Sequence, residues 1–159
     1  MKRNLFLLVL LVAVVSVAPL LAEDNPFLGT WKLDTAKSKF EPGPGPKSMT
    51  RTVEVKGNGV KYSFEGLSAD GKPFAYSFVT YFDKTNAAIA GTGVPGGADA
   101  IDLKRINSHK VEGTLWKGGK EVGKVVSEVS KDGQVATVKG KGKTVDGKEY
   151  SMESVYEKQ

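Results

Sequence analysis

Cysteine is absent from this chain, and histidine occurs once. No disulfide can brace the fold, and no lipid can be attached through a cysteine behind a leader. Stability therefore has to come from packing and sheet closure. A lone histidine, His109, is too little for the usual zinc or haem sites, so no metal and no cofactor is expected. A helical hydrophobic period is missing beyond residue 22. A strong charge imbalance is missing too: 23 Lys and Arg against 18 Asp and Glu leave +5, a mild surplus and not the footprint of a nucleic-acid binder. Lys139, Lys141 and Lys143 share one strand face, but no aromatic is interleaved for base stacking. That strip reads more readily as a sheet edge kept soluble by lysines than as an anion-facing surface.

What is present begins with a leader. Lys2 and Arg3 precede an apolar run from Leu5 to Val17, followed by Pro19 and Leu20-Leu21-Ala22. This is the charged start, short apolar centre and small-residue end of a secretory signal. Thirteen residues at about 1.5 Å each fall well short of a bilayer core, so a retained anchor is the weaker reading. Residues 1–22 are expected to be the signal peptide and 23–159 a single exported domain, secreted or periplasmic, without a stable membrane anchor.

The remaining chain alternates. Trp31 and Leu33 point one way from a strand while Thr30 and Lys32 point the other. Arg51, Val53 and Val55 alternate with Thr52 and Glu54, and Val60, Tyr62 and Phe64 with Lys61, Ser63 and Glu65. Phe74, Tyr76, Phe78 and Phe82 share a further face. Strands are expected over Ala87–Val94, Ala100–Ile106, His109–Lys117, Glu121–Ser130, Gln134–Lys141 and Glu149–Lys158. Gly57-Asn58-Gly59, Asp70-Gly71, Gly118-Gly119, Asp132-Gly133 and Asp146-Gly147 are the turns between them. Glu41-Pro42-Gly43-Pro44-Gly45-Pro46 can form neither helix nor central strand, and Thr35–Phe40 can make one helical turn at most. The pattern predicts an all-β fold: an up-and-down antiparallel meander of about ten strands, closed into a barrel by pairing of the first and last, with no helical lid; the alternative is an open meander or a two-sheet sandwich with a packed interior. Ten strands leave room for a ligand cavity.

Three stretches resemble the calycin superfamily. Phe27-Leu28-Gly29-Thr30-Trp31-Lys32-Leu33 is similar to the opening strand of intracellular fatty-acid-binding proteins, and Gly29-Thr30-Trp31 matches the Gly-x-Trp signature of lipocalins. Trp116-Lys117-Gly118-Gly119-Lys120 is similar to a Trp-Asp-Gly-Lys hairpin of the fatty-acid binders, and Val155-Tyr156-Glu157-Lys158 to their closing strand. The resemblance implies a lipocalin-like barrel with a ligand lumen, of the kind found in exported bacterial lipocalin-like proteins. It also departs from that family. The Pro/Gly loop leaves no room for a helix-turn-helix lid. Where those proteins hold a carboxylate with two arginines and a tyrosine, Ser127 and Ser154 stand at the arginine positions and only Tyr156 is kept.

The expected ligand site is the lumen, lined by Tyr62, Phe64, Tyr76, Phe78, Ser127, Met152, Ser154 and Tyr156, an apolar wall with a few hydroxyls. Without a cation at the clamp positions, an uncharged lipophile is expected to bind better than a carboxylate. Tight carboxylate binding would require another inward cation, Arg51 or Arg105. Catalysis has little support: His109 sits beside the Asn107-Ser108 turn, and Asp99 and Asp102 are three apart, on opposite strand faces. The expected function is carriage of a small apolar or weakly polar molecule, with no enzymatic activity and no nucleic acid partner. The alternative is an interaction protein, such as an inhibitor, whose loops meet an exported protein partner. The exported protein should begin at Glu23; intact mass checks this, and a chain retained in membrane and still starting at Met1 would overturn both cleavage and location.

Overall fold

The computed structural model describes residues 25–83 and 85–159, and the expected leader lies outside them. The first strand, β1 (Gly29–Glu41), carries Trp31 and Leu33 buried while Thr30 and Lys32 face out. It pairs on one side with β2 (Ser48–Lys56) and on the other with the last strand, β11 (Glu149–Lys158). Between them lie β3 (Gly59–Leu67), β4 (Pro73–Thr80), β5 (Ala87–Ala88), β6 (Ala90–Gly91), β7 (Ala100–Asn107), β8 (Lys110–Lys117), β9 (Lys120–Val129) and β10 (Val135–Lys143). All neighbours run antiparallel in one sheet of order β5-β7-β8-β9-β10-β11-β1-β2-β3-β4-β6. The expected meander is present, as a nearly closed barrel of 11 strands. Gly118 and Gly119, at φ +54° and +76°, form the two-residue turn that joins β8 to β9, a geometry open to glycine at little cost.

Two segments differ from the alternation. Thr35–Phe40 belongs to β1 and makes no helical turn. The β1–β11 register jumps from Asp34↔Val155 to Lys39↔Glu153, a bulge with three extra residues on β1. Asp34 holds the bulge locally, accepting from the amides of Ala36 (3.0 Å) and Lys37 (3.1 Å). Ser38 Oγ donates to the Asp34 carbonyl and accepts from the Val155 amide at 2.9 Å, replacing the ladder bonds that the bulge removes. An odd number of extra residues reverses the facing: Trp31 and Leu33 point inward before the bulge, and Phe40 packs on the core after it.

Ala87–Val94 is not one strand. It divides at Ile89, with β5 bonded to β7 and β6 bonded to β4. Gly91 (φ +122°) and Gly93 (φ +82°) take conformations unsuited to a regular strand. This segment, extended by a 3-10 turn at Pro95–Gly97, crosses the gap between β4 and β7. Ile89 N donates to Asp99 O at 2.8 Å and Thr92 N to Ala75 O at 2.8 Å. A single bridge, Asp83↔Lys104, ties the gap at its other end. β10 is flanked by β9 and β11 and is not an edge, so the lysine strip lies mid-sheet on the outer face. Lys139 there pairs with Glu153 and Lys143 with Glu149.

One end of the barrel is plugged by Trp31 and Phe27, both fully buried. The indole Nε1 donates to the Phe27 carbonyl at 2.9 Å, so the only polar atom of that side chain is satisfied inside the core. Trp31→Ala should cost about 3–5 kcal/mol, as loss of a buried indole does. Urea denaturation measures it, and a loss of only a few tenths of a kcal/mol would show that the plug is not structural.

Candidate functional site

Alternation along the strands sends one side chain in two into the barrel, and there they leave a partly open cavity of about 90 Å³. One wall is aromatic. The β3–β4 register sets Tyr62 opposite Phe78 and Phe64 opposite Tyr76, and both pairs stack, with ring centroids 5.1 and 4.6 Å apart. The facing wall is aliphatic, from Ile101, Leu103, Val111, Leu115 and Val125. Met49, Val94, Pro95 and Met152 complete the lining toward the end crossed by the Ala87–Gly97 segment. All eight residues expected from the sequence, Tyr62, Phe64, Tyr76, Phe78, Ser127, Met152, Ser154 and Tyr156, line this one cavity. Its volume is smaller than ten strands suggested, because the rings and one long polar side chain fill most of the interior. Pockets for drug-sized ligands occupy about 300–1,000 Å³, so this one admits a compact molecule.

The long polar side chain is Arg51, and it changes the chemistry expected of the lumen. Arg51 is only 1% exposed, set beside Trp31 by the β1–β2 register and beside Phe64 by the β2–β3 register. Its guanidinium carbon lies 4.9 Å from the Tyr156 ring and 5.1 Å from the Trp31 ring. Nη1 reaches Ser127 Oγ at a long 3.4 Å, while Nε and Nη2 have no hydrogen-bond partner among the described residues. Among the described residues, the titratable groups that act on it electrostatically are three tyrosines, Tyr156, Tyr62 and Tyr76, and no carboxylate. Burial pulls its pKa down, but a guanidinium starts so high that it stays charged at neutral pH. A buried charge without a counter-ion costs on the order of several kcal/mol. Two cation–π contacts, each worth roughly 0.5–2 kcal/mol, offset only part of that. The clamp positions do carry serines, as expected, but the lumen is not free of fixed positive charge.

The remaining polar groups are neutral. Burial raises the hydroxyl pKa of Tyr62 to about 12, against the opposing pull of Arg51 and Arg105. Burial also raises Tyr76, with Tyr156 adding to it, and raises Tyr156 itself. The Tyr156 hydroxyl contacts the Met49 sulfur at 3.0 Å. Arg105 lies outside the cavity lining; its guanidinium carbon stands 4.5 Å from the Phe82 ring and 5.8 Å from the Phe27 ring, at the plugged end.

Other candidates lie elsewhere. His109 Nδ1 is 2.9 Å from Ser108 Oγ at the β7–β8 turn. Asp102 accepts from the Trp116 indole at 2.9 Å and from the Thr114 amide at 3.2 Å. That contact holds Trp116 on the outer face, away from the lumen. Asp99 accepts from the Gly118 amide at 3.1 Å. A larger depression of about 840 Å³ lies outside β9–β11 between Glu41, Glu121, Lys143 and Tyr150. It is open to solvent and lined largely by charged side chains. The apolar lumen is the better candidate site, because it is smaller, less open and lined mainly by apolar side chains.

No protein family and no curated protein matches the chain. Among solved structures, it is similar to Rv2717c from M. tuberculosis. That crystal structure superposes with a TM-score of 0.51 at 18% identity, covering 89% of this chain and 98% of the other. At this identity the likeness is one of barrel fold.

Arg51 was legible in part: the Met49-x-Arg51-x-Val53 alternation places it on an apolar face. Its lack of a carboxylate partner among the described residues depends on contacts across the barrel, and no local signal carries that. The tyrosines make stability depend on alkaline pH. A pKa raised on folding contributes stability that is fully present below the ordinary tyrosine value of about 10. For Tyr62 that stability should be lost as pH rises through about 12. Denaturation free energies between pH 8 and 12, followed with phenolate absorbance, check this. Ionisation of all five tyrosines near pH 10 without loss of stability would contradict the burial of these hydroxyls.

Proposed function

We propose that this protein is a lipocalin-like, small-molecule-binding barrel, exported from the cell, that carries its ligand without transforming it. The observation that carries the reading is the lumen, where an aromatic and an aliphatic wall surround Arg51, Ser127 and Tyr156. A mostly apolar cavity with a few convergent polar groups is the usual composition of a small-molecule site. The ligand is a compact, mainly apolar molecule with at least one hydrogen-bond acceptor. The aromatic rings and aliphatic side chains cover its body, and Arg51 with the hydroxyls meets its polar end. Trp31 stands below the cavity as part of the floor and is not a ligand contact.

The calycin reading draws support from the Gly29-Thr30-Trp31 opening and from the β1–β11 closure that follows it. Export is supported by the leader sequence. Binding without turnover is the simpler reading of a lumen whose titratable residues are one arginine and three tyrosines, with the only histidine at an outer turn. Native mass spectrometry of protein purified from its own host should show a small co-purifying mass. A stoichiometric protein partner in its place would favour the interaction-protein reading and count against this one.

A further inference from the structure

We infer that the lumen selects a compact carboxylate, held by the Nε–Nη2 edge of Arg51. This inference rests on the small-molecule reading of the cavity and deepens it by assigning the charge of the ligand's polar end. Of the three guanidinium nitrogens, Nη1 is turned to Ser127 Oγ. The two without partners, Nε and Nη2, form together one side of the planar guanidinium. That side presents two parallel N–H groups, the fork that matches the two oxygens of a carboxylate. A hydroxyl or a carbonyl can accept from one of them; a carboxylate accepts from both and also supplies the missing counter-charge.

The surroundings agree. The groups facing Arg51 from β3, β4 and β11 are Tyr62, Tyr76 and Tyr156, which burial keeps neutral, so no anion among the described residues competes for the fork. Ser127 adds a hydroxyl beside the guanidinium. Both unpartnered nitrogens are covered, so a ligand reaches them by displacing a side chain. Met49 and Met152, unbranched and thus able to take several rotamers, line the same cavity. The volume of about 90 Å³ limits the carboxylate to a short or single-ring body, and the stacked Phe64–Tyr76 pair offers a flat surface to a ring.

The test compares benzoate with two uncharged analogues of the same shape, benzamide and benzyl alcohol, by calorimetric titration of the unaltered protein at pH 7. Benzoate should bind at least about tenfold more tightly than either, a difference of about 1.4 kcal/mol. The preference should persist in about 0.5 M sodium chloride, because a buried pair is screened much less than an exposed one. Arg51→Met should abolish the preference, and Arg51→Lys should retain part of it. The comparison on the unaltered protein decides the matter even if a variant does not fold. Analogues that bind as well as benzoate would overturn the carboxylate inference and leave the carrier reading standing. A preference lost in salt would assign the anion to surface lysines, with the same consequence. Binding of none of the three would count against the small-molecule reading as well.

Discussion

Pairing of β1 with β11 is the contact on which the rest of the barrel depends. It joins the two ends of the described chain and turns a meander with two open edges into a nearly closed wall. Its register sets Leu33 opposite Tyr156 and Phe40 opposite Met152, and the next pairing, β1 with β2, sets Arg51 beside Trp31. Floor, polar group and one side of the cavity therefore follow from a single strand. The bulge at Asp34–Lys39 belongs to the same constraint. It lets one strand face the interior with odd-numbered residues at the plugged end and with even-numbered Phe40 beyond the bulge.

Arg51 is the place where the fold departs from what stability alone would favour. An apolar side chain of similar volume would pack against Trp31 and Tyr156 with no desolvation cost, and such replacements of buried charges are often neutral or stabilising. At the hairpin glycines and the stacked cross-strand aromatics, by contrast, local choices agree with the global fold. A buried charge that folding alone does not favour is the kind of local conflict that supports the proposed ligand site.

Closure is weakest between β4 and β7, where two strands of two residues each replace a full one. Few ladder bonds hold that crossing, and Ile89, Val94 and Pro95 from it cover the cavity. The stretch with the least backbone pairing in the wall thus also contributes to the cavity lining, an arrangement in which local opening costs least.

Much of this was open to a reading of the sequence alone. Strand alternation is a local property with period two, so Tyr62, Phe64, Tyr76, Phe78, Ser127, Met152, Ser154 and Tyr156 could each be assigned an inward face from their neighbours. Turn chemistry at Gly118-Gly119 and Asp132-Gly133 is equally local, which is why the order of the strands was legible. Three things were decided only by the tertiary structure. The bulge in β1 and the division of Ala87–Val94 depend on what the neighbouring strands can accept. The cavity volume depends on how side chains from several strands fill a common interior. The isolation of Arg51 depends on whether any of 18 acidic residues comes within reach of it across the barrel. Facing is set between adjacent residues, whereas filling and charge pairing are set between residues far apart in the chain, and only the closed barrel brings those together.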